Sequence, residues 1–203
     1  MSEYNRDQWE ALLMVQRYLE GLPASAIEQL REAVEPYLQF RSEVSLFQRL
    51  FFSEICTQAC FTTRQSACCN RDGIATFFAD VVINALSSSE EDLNHIKTAL
   101  VNDPGGFKCV YLVEKGCVWR LKPIVCEMFL CDRARETVLA KNKALNDRWE
   151  GLLSKEKQFT WPDKPILFDD LEELFLEAGL QSPLMYCHLS PGLLRVKAKR
   201  RRG

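Results

Sequence analysis

Eight of the nine cysteines lie between Cys56 and Cys131. They run C-x3-C-x7-C-C through Cys56, Cys60, Cys68 and Cys69, then C-x7-C-x8-C-x4-C through Cys109, Cys117, Cys126 and Cys131. Thiolates are soft ligands, and four of them satisfy either Zn(II) or an iron–sulfur cluster. A disulfide framework and a set of buried cysteines acting as small hydrophobes are the competing readings. Disulfide-stapled domains are usually short, whereas 203 residues at 47% apolar content can bury a core without staples. Residues Met1 to Arg17 lack the basic start and apolar core of a secretory signal, so a reducing cytoplasm is the expected compartment. The metal reading is the strongest of the three. Zinc knuckles usually present C-x2-C pairs on tight turns; the looser spacings here imply ligands gathered from several elements, which favours a [4Fe-4S] cluster over Zn(II) by a small margin.

Other reactive side chains are sparse. His95 sits in a polar helical stretch and reads as a surface histidine. Cys187 and His188 are neighbours, but a nucleophile and its base need a third orienting group, and none is evident. Arg120, Glu127, Asp132 and Arg133 flank the cysteines, where they could act on a substrate or, more simply, neutralise and hydrogen-bond the thiolates.

The elements that must carry these thiols read mainly as helices. Trp9, Leu12, Leu13, Val15 and Leu19 trace a stripe over Tyr4–Glu20, ended by Gly21-Leu22-Pro23. A second helical pattern starts with Ser25 as N-cap, bends or breaks at Pro36, and resumes through Phe51 to deliver Cys56 and Cys60 at i and i+4 on one face. Phe61–Ala67 reads as a loop. Cys68 and Cys69, as chain neighbours, should diverge, with Cys69 the better ligand. Ile74–Leu86 is apolar nearly all round and reads as a buried helix without chemistry. Ser87-Ser88-Ser89-Glu90-Glu91 reads as a loop and N-cap for a short helix over Asp92–Val101. Cys109–Leu121 reads as a β-hairpin about Lys115-Gly116, which pairs Glu114 with Cys117 and sets Cys109 and Cys117 roughly 17 Å apart. Pro123 starts a helix with Cys126 near its amino end. Asp132–Lys157 reads as one long charged helix, broken by Trp161-Pro162, and Asp169 or Asp170 caps a last helix over Leu171–Ala178.

The second half of the cysteine region carries a resemblance. Cys109-Val-Tyr-Leu, then Gly116-Cys117-Val-Trp119-Arg120-Leu-Lys-Pro123-Ile-Val-Cys126-Glu-Met-Phe129, resembles the YkgJ-type zinc- or iron-chelating cysteine-cluster family. That family's usual form is C-x2-C-x2-C-C, then C-x-x-L and G-x-C-x-x-Y-x-x-R-P-x-x-C-R-x-F. The resemblance implies metal ligation by Cys56, Cys60, Cys68, Cys69, Cys109, Cys117 and Cys126, with Cys131 as an addition. Here the first group is stretched, Lys122 precedes the proline in place of arginine, and Glu127 follows Cys126. Flagellin lysine-N-methylase is similar to this family, which implies a second expectation, a metal-dependent enzyme modifying protein or RNA. No Gly-rich loop suited to S-adenosylmethionine follows a strand pattern.

The expected architecture is mainly α, a helical domain with a small cysteine-rich hairpin insert built around a metal centre. It is one domain over 1–203: N-terminal helices (1–55), the cysteine-cluster region (56–131), C-terminal helices (132–194) and a basic tail (195–203). The first metal ligands expected are Cys56, Cys60, Cys69 and Cys126, the remaining four completing a second site or backing the first. No apolar run approaches the ~20 residues a bilayer demands. The formal charge of −2 hides an acidic body and a tail, RVKAKRRRG, with six positive charges suited to RNA or an acidic protein partner. The expected function is a metal-binding protein whose centre is structural or carries electrons.

Overall fold

A computed structural model describes residues 1–66, 68–71, 74–103, 105–160 and 166–185. Cys187, His188, the basic tail and the Trp161-Pro162 break fall outside these residues. The chain is mainly helical, and among the described residues no helix is long and apolar enough to cross a membrane.

Helix α1 (Glu3–Glu20) starts where the Ser2 hydroxyl accepts the Asn5 N–H at 3.1 Å, and it buries Ala11, Leu12, Val15 and Leu19. Helix α2 runs unbroken from Ala24 to Phe52. Its N-cap is Pro23 rather than Ser25, and Pro36 does not divide it. Pro36 is exposed, so water can meet the carbonyl it leaves without a partner. The opposite face buries Val34, Tyr37, Phe40, Val44 and Phe47, and burial at roughly 1.5–3 kcal/mol per large apolar side chain outweighs the ~3 kcal/mol proline penalty. Beyond Phe52 the helix widens into a π-helical segment, Ser53–Phe61, none of whose residues is buried.

Helix α3 (Phe78–Ser87) is the centre of the bundle: Phe78, Ala79, Val81, Val82 and Ile83 are all buried, with α1, α2 and α8 packed around them. Helix α4 (Glu90–Val101) starts with Ser89 and Asp92 capping each other's backbone N–H and packs on α1. The expected ribbon over Cys109–Leu121 shrinks to strands β1 (Leu112–Val113) and β2 (Gly116–Cys117). Its register is Leu112 to Cys117 and Val113 to Gly116, so the two-residue turn is Glu114-Lys115 and Gly116, at φ +119°, belongs to β2. Only Cys117 lies in the hairpin.

Two single turns follow, α5 (Ile124–Glu127) and α6 (Asp132–Ala134). The expected long helix from Asp132 is interrupted by a π-helical turn, Arg135–Leu139, and restarts as α7 (Lys143–Thr160). Asn142 causes the restart, its side-chain oxygen accepting the Leu145 N–H at 3.2 Å as an N-cap does. Helix α8 (Leu167–Glu177) begins ahead of Asp169 and Asp170, which therefore sit in its first turn, and Gly179 at φ +76° ends it. A second, smaller core joins the end of α2 to α7 through Phe47, stacked on Trp149 with ring centroids 5.8 Å apart.

Candidate metal centre

The eight cysteines of the region are free thiols. Strand-like pairings join the segments that carry Cys69 and Cys109. Asn70 bridges Lys108 in antiparallel fashion, the Arg71 N–H reaches the Phe107 carbonyl at 3.0 Å, and the Cys109 N–H reaches the Cys69 carbonyl at 3.1 Å. Cys69 and Cys109 are thereby fixed side by side. The chain then turns, with the Leu112 N–H on the Cys109 carbonyl at 3.1 Å, which brings Cys109 back toward the hairpin rather than to its far end. The long ribbon that would set Cys109 and Cys117 at its opposite ends does not form, since only Cys117 lies in the hairpin.

The thiols influence one another across the region: Cys69 feels Cys109, Cys117 and Cys126, Cys117 feels Cys109 and Cys126, Cys126 feels Cys109 and Cys68, and Cys56 feels Cys68, Cys131 and Cys60. The side chains of Cys68 and Cys69 do not diverge as adjacency suggests. The Cys68 thiol donates a hydrogen bond to the Cys69 sulfur, holding the Cys68 thiol protonated and drawing Cys69 below the ordinary thiol value.

Nearby backbone N–H groups work against burial at three of these sulfurs. Burial pushes the Cys109 thiol up, while the N–H groups of Tyr111 and Leu112 oppose it. Burial likewise raises Cys117 to about 11 against the Trp119 N–H, and Cys126 to about 11 against the Ala75 N–H. N–H donors aimed at sulfur favour the thiolate over the thiol, and such outer contacts orient and tune metal ligands.

The turn bearing Cys126 is held by residues that sequence reasoning passed over. Asp80, in the helix read as core without chemistry, accepts the Ile124 N–H through Oδ1 at 3.1 Å and the Phe77 N–H through Oδ2 at 3.0 Å. One turn on, Asn84 Oδ1 accepts the Leu121 N–H at 3.1 Å while its Nδ2 donates to the Leu121 carbonyl at 3.0 Å. Arg41, 3% exposed, donates from Nη2 to the Lys122 carbonyl at 2.6 Å and from Nη1 to the Tyr37 hydroxyl at 2.9 Å. Gln48 Nε2 donates to the Glu127 carbonyl. Their signal in the sequence was Asp80 and Asn84 standing at i and i+4 in an otherwise apolar helix. At one turn, α5 is too short for the dipole expected to favour a Cys126 thiolate.

Lys122 and Glu127 pair at 3.4 Å beside the thiols. Burial would lower Lys122, but Glu127, Cys117 and Cys69 outweigh it and hold the ammonium above its ordinary value. From below, the Tyr111 hydroxyl donates to Gln8 of α1 at 3.2 Å, and Tyr4 lies near Cys109 and Cys126, burial raising its hydroxyl to about 12. Arg71 pairs with Asp103, whose other oxygen accepts from Asn5 Nδ2 at 2.9 Å, tying the Cys68-Cys69 loop to α1 and α4. His95 is exposed on α4, and Arg120, Asp132 and Arg133 are exposed near the cysteines.

Among the described residues no three Cys, His, Asp or Glu side chains converge closely enough to hold one ion as they stand. Ligation therefore requires the thiols to draw together. The donor chemistry nonetheless fits a soft metal, and Cys69, Cys109, Cys117 and Cys126 are the four whose backbones are fixed by the contacts above. Bound there, Zn(II) would cross-link the loops, and an iron–sulfur cluster would add one-electron chemistry. No family model, curated protein or solved structure matches the chain.

Proposed function

We propose that this protein is a metal-binding protein carrying a thiolate-ligated centre, [4Fe-4S] or Zn(II), on Cys69, Cys109, Cys117 and Cys126, with a structural or electron-carrying role. The observation that carries the reading is the backbone pairing that fixes Cys69 beside Cys109, with the turn of Cys126 held by Asp80. These thiols are half-buried to exposed rather than sealed in the core as inert core cysteines are. A stretch this dense in free thiols suits a reducing compartment such as the cytoplasm. The six positive charges of the sequence RVKAKRRRG suit RNA or an acidic partner.

The test is metal and acid-labile sulfide analysis, with a visible spectrum, on protein purified without oxygen. About four iron and four sulfide with a broad band near ~400 nm identify the cluster. Zinc without colour identifies a structural ion, whose removal by a chelator then lowers the melting temperature. Protein free of both metals that also fails to take up added zinc or reconstituted cluster defeats the reading.

A further inference from the structure

Between β2 and α5 the chain runs through residues 118–123 without helix or strand, so the backbone groups there must find partners elsewhere. Side chains of the bundle supply them. Asn84 of α3 takes both groups of Leu121, accepting its N–H at 3.1 Å and donating to its carbonyl at 3.0 Å. Arg41 of α2 donates to the Lys122 carbonyl at 2.6 Å, Asp80 of α3 accepts the Ile124 N–H at 3.1 Å, and Gln48 of α2 donates to the Glu127 carbonyl. Asn84, Asp80 and Arg41 are each at most 3% exposed. The hold is on the main chain, and Cys126, which belongs to the same stretch, keeps an exposed thiol. A buried polar side chain recovers its lost hydration only when its partner sits in one place, so these three specify where the stretch lies, as an apolar contact would not.

The side of the site that carries Cys69 is built differently. One backbone bond at 3.1 Å joins Cys69 to Cys109, and the loop before it holds Arg64 at φ +61° and Ser66 at φ +35°, conformations that cost residues other than glycine. That loop is tied to the bundle farther on, through Arg71 and Asp103.

We propose that Asn84, Asp80 and Arg41 are positioning residues of the metal site: they set the main chain of Cys126 in place in the metal-free protein, and the ion draws the Cys69–Cys109 side onto it. This rests on the proposed function and adds to it an order of assembly. Cys126 is the preset ligand. Ordering done during folding need not be repeated when the metal arrives, so metal retention depends on three side chains that never touch the ion.

The experiment is amide hydrogen exchange at single-residue resolution on the full, reduced chain, metal-free and then with zinc added. In the metal-free chain the Leu121 and Ile124 amides should exchange within ~10-fold of the Val82 amide in α3. Zinc should leave those two nearly unchanged while slowing the Cys69 and Cys109 amides at least ~10-fold. N84A should also release zinc to a competing chelator several-fold faster than wild type. L171A, a core truncation in α8, should lower the melting temperature without changing that release. Free exchange of Leu121 and Ile124 in the metal-free chain overturns the proposal, as does equal slowing of all four amides by zinc or an N84A with wild-type release. A chain that binds no zinc overturns the metal function itself, a different outcome from a chain that binds zinc with its Cys126 turn unheld. The exchange measurement uses the native sequence, so a variant that fails to fold does not remove the test.

Discussion

Asp80 Oδ1 accepts the Ile124 N–H at 3.1 Å, so a carboxylate buried in the central helix fixes the turn that carries Cys126. Burial raises this carboxyl from its ordinary 3.8 to about 6. The folded chain then holds the proton more tightly than the unfolded chain between about pH 4 and 6, so this stabilisation is full below about pH 4 and is lost as pH rises to about 6. The amide introduced by D80N does not titrate. Across that window the wild type should lose up to about 3 kcal/mol of unfolding free energy relative to D80N, at about 1.4 kcal/mol per pKa unit. Urea denaturation at pH 4, 5, 6 and 7 checks it, and a difference that stays flat would exclude the assignment.

Asp103 works in the opposite sense. The Arg71 guanidinium beside it, with Asn5 and the Gly105 N–H, outweighs burial and lowers its carboxyl to about 2. The stabilisation is complete above about pH 4 and is lost as pH falls toward 2. After allowance for solvent screening, D103N should cost about 1–2 kcal/mol at pH 7 and close to nothing at pH 2. Thermal melts of both proteins across that range measure the difference.

Replacing Arg41 should loosen the Cys126 turn without touching a thiol. Its guanidinium is the donor to the Lys122 carbonyl, so R41A leaves that acceptor without a protein partner and opens space against Tyr37. A loss of about 2–4 kcal/mol is expected. Zinc should also leave the site several-fold faster, read by chelator competition in stopped flow. Unchanged zinc release in a destabilised R41A would mean that Arg41 serves the core alone.

Trp149 is 1% exposed and sits against Phe47 and Phe52. W149A should cost about 3–5 kcal/mol, as large aromatic truncations do in filled cores. Urea denaturation of both proteins measures the difference, and a loss below about 1 kcal/mol would argue against a filled core at this position.

Helix α1 was legible because period and terminator agree, Gly21 stopping it, whereas α3 and α4 were legible with displaced starts: α3 begins at Phe78 rather than Ile74, and α4 at Glu90 ahead of Asp92. Pro36 misled because its cost is local, whereas the burial that outweighs it is spread over Tyr37, Phe40 and Val44, a tertiary term that no window of sequence contains. The hairpin slipped because Gly116 was assigned to the turn when its positive φ is used within β2. The eight cysteines were legible as a dense stretch of the chain, but the side-by-side placing of Cys69 and Cys109 was not, since it depends on backbone pairing between distant segments. Asp80 and Asn84 were visible as polar breaks in an apolar run, but their partners, Leu121 and Ile124, lie about forty residues away in the chain.

The π-helical segment after α2 has a consequence for amide exchange. With none of its nine residues buried, Ser53–Phe61 can open without disturbing Tyr37, Phe40 or α3, so its hydrogens should exchange through local fluctuation while those of the central helix wait for global unfolding. The long helix thus ends in a region whose order is set separately from that of the bundle, and the same polypeptide carries a slow interior clock and a fast rim clock.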